Sequence, residues 1–470
     1  MSRLIVVSNR VGLRRDADAG SVGGLAGAIA DALRGRNGMW FGWSGDSTPD
    51  YTGKIALERI DDVTLATVDL EPQDVDEYYN GYANSTLWPL FHDRIDLTAY
   101  ERSFDSGYAR VNARFAAALA PLVGPDDLLW VHDYHLAPLA SGLRRLGVGN
   151  RIGFFLHIPW PARQLLTTLP GHRRLVEALF DYDLLGFQTP DNLSAFVDYL
   201  AREAGAAAPD AGGHVAAFGR SPRLGVFPIG IDAAAVEAAA VSPAGEASFL
   251  RMKESLAGRR MILGVDRLDH SKGLEGRFQA YETFLERRED QHGRVFMLQI
   301  ATPSRDGVAA YQDLRARLDA ESGRINGRFA TVDWVPLRYV NSSYRRDELA
   351  GVYRAAAVGL VTPLRDGMNL VAKEYIAAQD GEDPGVLILS RLAGAAHQLK
   401  AALMVNPYDR EDVAEAIHRA LAMPRAERRR RWQDLMQVVR DEDVAAWREA
   451  NVEWLRRPAG VVRAVAGGAA

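Results

Sequence analysis

The 470-residue chain contains no cysteine. That excludes disulfides and thiolate metal sites, and nothing points to an oxidising compartment. Long hydrophobic runs are missing too. No segment is long enough to span a bilayer, and the apolar run in the opening Met-Ser-Arg-Leu-Ile-Val-Val-Ser-Asn-Arg is too short for a signal peptide. A cytoplasmic enzyme is the expectation. Charge of one sign is also scarce: 56 Lys and Arg against 61 Asp and Glu leave a net charge of −5, which argues against a general nucleic-acid binder. The basic run 428–431 reads as the solvated face of a helix, with Glu427 and Asp434 beside it.

What is present is a globular composition, 47% hydrophobic and 25% charged, in a chain too long for one ordinary core. Short apolar runs at 4–7, 63–70, 128–131, 152–158, 184–187 and 224–229 read as strands, separated by helical stretches such as 25–33, 106–122 and 173–180. The pattern pauses at Gly230-Ile-Asp, and an Ala-rich segment over 233–247 leads into a second series at 261–265, 295–300, 331–335, 358–362, 386–389 and 403–405. Strands alternating with helices predict an α/β protein of two doubly wound parallel-sheet domains, 1–232 and 233–443. The amphipathic stretch 444–457 is expected to cross back onto the first domain, and the rest of 444–470 is a small-residue tail.

Candidate chemistry gathers where strands end, the edge at which open parallel sheets bind ligands. The central stretch is Val358 to Tyr375, VGLVTPLRDGMNLVAKEY, which reads as strand, polar turn and helix start. Such a junction offers backbone N–H groups and a partial positive charge to a phosphorylated ligand. Asp366 in the turn and Glu374 in the helix suit the hydroxyls of a sugar and a ribose, or else a helix cap and a solvated face. Near the N-terminus, Arg10 closes a strand, and Gly23-Gly24 precedes a helix where phosphates can approach the backbone. Arg267 and Lys272 flank a Gly-ended loop and can clamp a diphosphate; Arg305 follows another strand. Asp133 lies between His132 and His135, but no third ligand falls at a recognisable spacing, so the cluster reads as an acceptor for sugar hydroxyls and not as a metal site. His157 either donates to a sugar hydroxyl or is a satisfied core group, and Tyr79 and Trp88, in a loop-rich part, flank a sugar ring or form core.

With these residues assembled, the chain resembles the retaining nucleotide-sugar glycosyltransferases that make trehalose 6-phosphate. The likeness runs from about Ser2 to Leu455 through VVSNR, VGGLAGA, WFGWSG, DEYYNGYANSTLWP, WVHDYHL, GFFLHIPWP, DLLGFQT, PIGID, VDRLDHSKGL, GRINGRF, VTPLRDGMNLVAKEY and VNPYD. It implies two Rossmann-like domains of GT-B type enclosing a cleft, in a homo-oligomer, with a nucleotide-activated glucose as co-substrate (UDP-glucose first, the residues leaving uracil, guanine and adenine open) and no cofactor or metal. By the same resemblance Arg10, Tyr79 and Arg305 serve the acceptor's phosphate, Asp133 its sugar, and Trp88 and His157 shape the sugar pocket. Gly23 and Gly24 lie at the donor, Arg267 and Lys272 at its diphosphate, Asp366 at its glucose, and Leu370, Val371, Ala372, Lys373 and Glu374 lead to the ribose, with Tyr344 near the base. The catalytic set so implied is Asp133, His157, Arg267, Lys272 and Asp366. Two departures stand out: Trp160-Pro-Ala-Arg-Gln164 in place of Phe-Pro-x-x-Glu, and His270 in place of a Tyr. The implied reaction moves glucose onto glucose 6-phosphate with retention, giving α,α-trehalose 6-phosphate. No second carboxylate is placed as an obvious nucleophile, so front-face attack is preferred. Alternatives are another phosphorylated acceptor, such as glycerol 3-phosphate, or a regulatory subunit that binds sugar phosphates without turnover.

Overall fold

The computed structural model describes residues 3–12, 27, 29, 30, 33, 37–304 and 309–457. Two sheets organise it. The first has eight strands in the order β3-β4-β2-β1-β5-β6-β7-β8: β1 (Leu4–Arg10), β2 (Met39–Ser47), β3 (Ala56–Ile60), β4 (Val63–Leu70), β5 (Leu128–His132), β6 (Ile152–Phe155), β7 (Leu184–Phe187) and β8 (Arg223–Val226). Only the edge pair β3/β4 is antiparallel. The second has six parallel strands in the order β11-β10-β9-β12-β13-β14: β9 (Arg260–Arg267), β10 (Val295–Thr302), β11 (Leu337–Val340), β12 (Val358–Val361), β13 (Val386–Ser390) and β14 (Leu403–Val405). Strands β1, β5, β6 and β12 are buried along nearly their whole length, as continuous apolar runs covered on both faces must be.

Four stretches differ from the sequence reading. The predicted strand at 331–335 is a tight turn: Thr331 Oγ1 donates to Asp333 Oδ1 at 2.8 Å, Trp334 Nε1 donates to the Val295 carbonyl at 2.7 Å, and the strand begins after Pro336. The loop-rich part holding Tyr79 and Trp88 is a wide π-type helix, Val75–Leu87, continued by a short α-helix, Trp88–Phe91. Strands β2 and β3 were not anticipated. Glycine interrupts β2 at Gly42, where a Cβ would lie 2.4 Å from the Ser8 carbonyl oxygen, so the strand needs glycine to approach its neighbour.

The final helix, Val444–Arg456, is capped by Asp443, whose side chain accepts from the Ala446 N–H at 2.7 Å. It lies across the first sheet. Its Trp447 ring sits 4.6 Å from that of Trp130 and 5.2 Å from that of Phe155. At its start the chain passes the junction between the sheets, where Val444 donates to the Ile231 carbonyl at 3.2 Å and Lys373 Nζ to the Ile229 carbonyl at 2.8 Å. Among the described residues no helix is long and apolar enough to cross a membrane.

Candidate active site

The C-terminal ends of β9 and β12 meet at a half-buried cation. Gly273, at φ +66°, closes the loop after β9; a Cβ there would lie 2.5 Å from the Thr362 carbonyl oxygen, so this turn admits only glycine. The loop presents Lys272, whose Nζ bonds Asp366 Oδ2 in the turn after β12. Asn369 Nδ2 donates to the same oxygen at 3.0 Å, while its Oδ1 caps the helix Leu370–Ala377 by accepting from the Ala372 N–H at 3.2 Å. Burial alone would raise the Asp366 carboxyl; the charge and hydrogen bond of Lys272 outweigh it and hold the group below its ordinary value. An ionised carboxylate and an ammonium therefore stand together at the head of a helix, a setting for sugar hydroxyls and phosphate oxygens respectively.

Beneath this pair, Arg277 ties the strand ends together. It is 1% exposed, bonds Asp266, and donates to Thr362 Oγ1 at 2.9 Å, Gln299 Oε1 at 2.8 Å and the Lys272 carbonyl at 3.3 Å. Sequence reasoning passed over both Arg277 and Asp269. Asp269 Oδ1 accepts from the Ser271 N–H at 2.9 Å and from Trp88 Nε1 at 3.3 Å, and its Oδ2 from the Tyr311 hydroxyl at 3.2 Å. Its signal is the Asp-x-Ser turn chemistry, in which a carboxylate folds back on the N–H two residues on.

Trp88 brings the first domain to this loop, and the Arg267 guanidinium lies 5.3 Å from its ring centre. Among the described residues Arg267 pairs with no carboxylate and is exposed, available to a ligand anion. A second bridge runs from Arg365, which bonds the Trp160 carbonyl at 3.0 Å and Asp93 at 2.9 Å. The backbones themselves touch: a Cβ on Gly367 would lie 1.8 Å from the His157 carbonyl oxygen. Beside Trp88 a cavity of about 370 Å³ opens between the wide helix and the 270–271 loop, with Asn84, Trp88, His270 and Tyr311 in its wall.

On the first sheet Asp133 follows β5 at φ 75°, ψ 165°, a region that side chains other than glycine rarely enter. Its N–H donates to the Phe155 carbonyl at 2.8 Å and its Oδ1 accepts from the His157 N–H at 3.2 Å, which joins the loops after β5 and β6. The His157 ring lies 2.9 Å, Nε2 to Nδ1, from His132, with its own Nδ1 3.4 Å from Gln188 Nε2. Gln188 Oε1 accepts from the Ile229 N–H, so its amide nitrogen faces His157 and His157 donates through Nε2 to His132. Burial lowers both imidazoles, His132 to about 3, so the pair is neutral. The structure thus gives His157 two ring partners inside the protein while leaving the residue part-exposed.

Arg10, Trp43, Tyr79 and His135 line up beside Asp133. The Arg10 guanidinium is 5.8 Å from the Trp43 ring centre, Trp43 meets Tyr79 edge-on at 5.6 Å, and Tyr79 stacks on His135 at 6.1 Å. Arg10 is exposed. Of the helix Leu370–Ala377, Leu370, Val371 and Glu374 are part-exposed, whereas Ala372 and Lys373 are fully buried and the Lys373 side chain turns to the junction between the domains. The Tyr353 hydroxyl lies 3.4 Å from Glu374 Oε2, and burial raises that carboxyl. Tyr344 is half-buried against the core. Gly23, Gly24 and Arg305 lie outside the described residues. Among those residues no group of three or more His, Asp or Glu is placed to hold a metal ion.

Known proteins share this fold. Residues 2–457 match the family profile of glycosyltransferase family 20. A trehalose-6-phosphate synthase of Cronobacter sakazakii is 49% identical over 457 residues, covering 97% of this chain and 96% of that one. The structure of an α,α-trehalose-phosphate synthase (UDP-forming) from Burkholderia xenovorans in complex with glucose-6-phosphate superimposes with a TM-score of 0.93 at 50% identity, over 97% of this chain and 100% of that one. An Escherichia coli structure bound with UDP-2-fluoro glucose gives 0.92 at 46%, with the same coverage. With the strand-end constellation in place and the match running from residue 2 to residue 457, the chain belongs to glycosyltransferase family 20.

Proposed function

We propose that this chain transfers the glucosyl group of UDP-glucose to the anomeric hydroxyl of glucose 6-phosphate with retention, forming α,α-trehalose 6-phosphate and UDP. The observation that carries the reading is the junction at which Lys272 meets Asp366 and Arg267 meets Trp88 across the two domains, in a chain 49% identical to an enzyme of that name. In this reading residues 1–232 receive the acceptor, 233–443 bind the donor, and the segment from 444 returns to the first domain. Arg267 and Lys272 hold the diphosphate, Asp366 and Glu374 take hydroxyls of the donor's glucose and ribose, and Arg10, Tyr79 and Arg305 hold the acceptor's phosphate. Gly23 and Gly24 border the donor, Trp88, Asp133 and His157 form the wall against which the sugars pack, and Tyr344 lies toward the base.

The bond from the glucosyl C1 to the β-phosphate oxygen breaks as the acceptor oxygen bonds C1 on the same face. The departing phosphate oxygen takes the acceptor's proton, so atoms and charge balance without a further base. Negative charge grows on the leaving diphosphate during that step, and cations already in place stabilise it more than they stabilise the ground state. Asp366 keeps Lys272 positioned until the diphosphate arrives. Turnover without a metal belongs to this reading, supported by the number of cations at the strand ends. Replacing Arg267 or Lys272 with Ala is expected to lower turnover by about two to three orders of magnitude with the fold intact. Near-normal turnover in either variant would remove that pair from the mechanism.

A further inference from the structure

The end of the first sheet opposite the cleft carries a second cavity, of about 360 Å³, at the start of β6, β7 and β8. Five arginines line it: Arg144, Arg151, Arg220, Arg223 and Arg457. Their fixed counter-charges are few. Asp183 pairs with Arg144 at 2.8 Å and reaches Arg151 only at 3.7 Å; Asp181 pairs with Arg220 at 2.8 Å. Arg457 bonds Glu453, one helical turn back, at 2.5 Å.

Arg144 shows what a structural arginine does here: besides Asp183 it donates to the carbonyls of Asp181, Val148 and Asn150, at 3.2, 2.8 and 2.7 Å. Arg223 does none of this. Its Nε is enclosed and has no hydrogen-bond partner, and among the described residues no carboxylate pairs with it. Its guanidinium and that of Arg457 each lie 5.5 Å from the ring centre of Trp454. Burial lowers the Arg223 pKa from its ordinary value, and the positive charges of Arg457 and Arg151 act in the same direction, opposed in smaller part by the Asp210 carboxylate.

An enclosed guanidinium Nε without an acceptor, on a part-exposed arginine beside like charges, is unfavourable, and one anionic occupant removes both penalties. A guanidinium fork matches a tetrahedral oxyanion in two parallel hydrogen bonds. We propose that this cavity is an anion site that takes a phosphate-class ligand, held by Arg223 together with Arg151 and Arg457. The occupant joins the first residue of β8 to the residue that ends the last helix, and so fastens that helix to the first sheet. No residue of the cleft takes part.

The test is calorimetric titration of the wild type, Arg223→Gln and Arg457→Gln with inorganic phosphate, pyrophosphate and ribose 5-phosphate. Cleft binding is common to all three proteins, so the difference between them belongs to the cavity, and the three probes separate a free anion from a phosphate ester. The wild type is expected to bind one more equivalent than Arg223→Gln of at least one probe, and Arg457→Gln to bind that equivalent at least tenfold more weakly. In phosphate-free chloride buffer pyrophosphate should raise the wild-type melting temperature more than that of either variant. Arg457 is exposed at a helix end, so its replacement folds even if that of Arg223 does not. Equal stoichiometry, affinity and melting shifts in wild type and Arg457→Gln for all three probes overturn the proposal.

Discussion

Asp133 holds a backbone conformation, φ 75° and ψ 165°, that costs about 1–3 kcal/mol for a residue with a Cβ. Its carboxylate accepts the His157 N–H, a bond that glycine and alanine would both forfeit. Asp133→Gly removes the strain and Asp133→Ala keeps it. The glycine variant is therefore expected to be more stable than the alanine variant by about 1–3 kcal/mol, while both lose turnover. Urea unfolding of the two variants decides it; an alanine variant as stable as the glycine one would mean the strain is not there. Lys373 was read from sequence as part of a donor-binding segment, and the structure buries its side chain against the Ile229 carbonyl. Which way a residue in a helix's first turn faces depends on what packs there, and that is not written in the local sequence. Burial lowers its ammonium from 10.5 to about 7, with Glu442 opposing. Between those two values the unfolded chain holds a proton that the folded chain has shed, so this group's contribution to stability rises with pH and is lost as pH falls toward 7. Wild type should accordingly gain more stability between pH 7 and pH 9 than Lys373→Met does, measured by urea unfolding at each pH. Parallel gains would contradict it.

At the level of elements, β9, β10 and β12 are held at their C-terminal ends by the buried guanidinium of Arg277. Arg277→Met leaves Asp266 as an uncompensated buried charge and is expected to cost about 3–5 kcal/mol. Adding Asp266→Asn should restore part of that stability without restoring turnover, because the Lys272 loop still lacks its anchor. If the double variant were no more stable than the single one, the pair would not be the linkage described. The strands that carry the site were legible because parallel strands covered on both faces are continuous apolar runs, and β1, β5, β6, β9 and β12 all read that way. The misses have local causes. Thr331 to Val335 is β-branched yet forms a turn, because Thr331 and Asp333 bond each other and Pro336 follows. The edge strand β3 is exposed over most of its length and shows no alternation of burial, so no pattern marks it. Asn80-Gly81 within the wide helix carries turn chemistry, but Gly81 instead lets the Phe104 ring pack directly on the backbone, within 2.5 Å of where a Cβ would stand.

Over the whole molecule, the loop after β6 meets the turn after β12, and the chain crosses between the sheets at Ile229 to Asp232 and again at Glu442 to Val444. That the polar residues gather at strand ends was visible in sequence. The contacts that close the cleft, Trp88 to Asp269 and Arg365 to the Trp160 carbonyl, were not, since they join residues 181 and 205 positions apart. The central claim is that these facing edges join two glucose units with retention and without a metal. The most direct measurement is NMR of the product formed from UDP-glucose, with glucose 6-phosphate and glycerol 3-phosphate offered together in excess EDTA. The account predicts α,α-trehalose 6-phosphate as the dominant product, with turnover unaffected by the chelator. Transfer mainly to glycerol 3-phosphate, a β linkage at the donor carbon, or activity that returns only with added magnesium would contradict it.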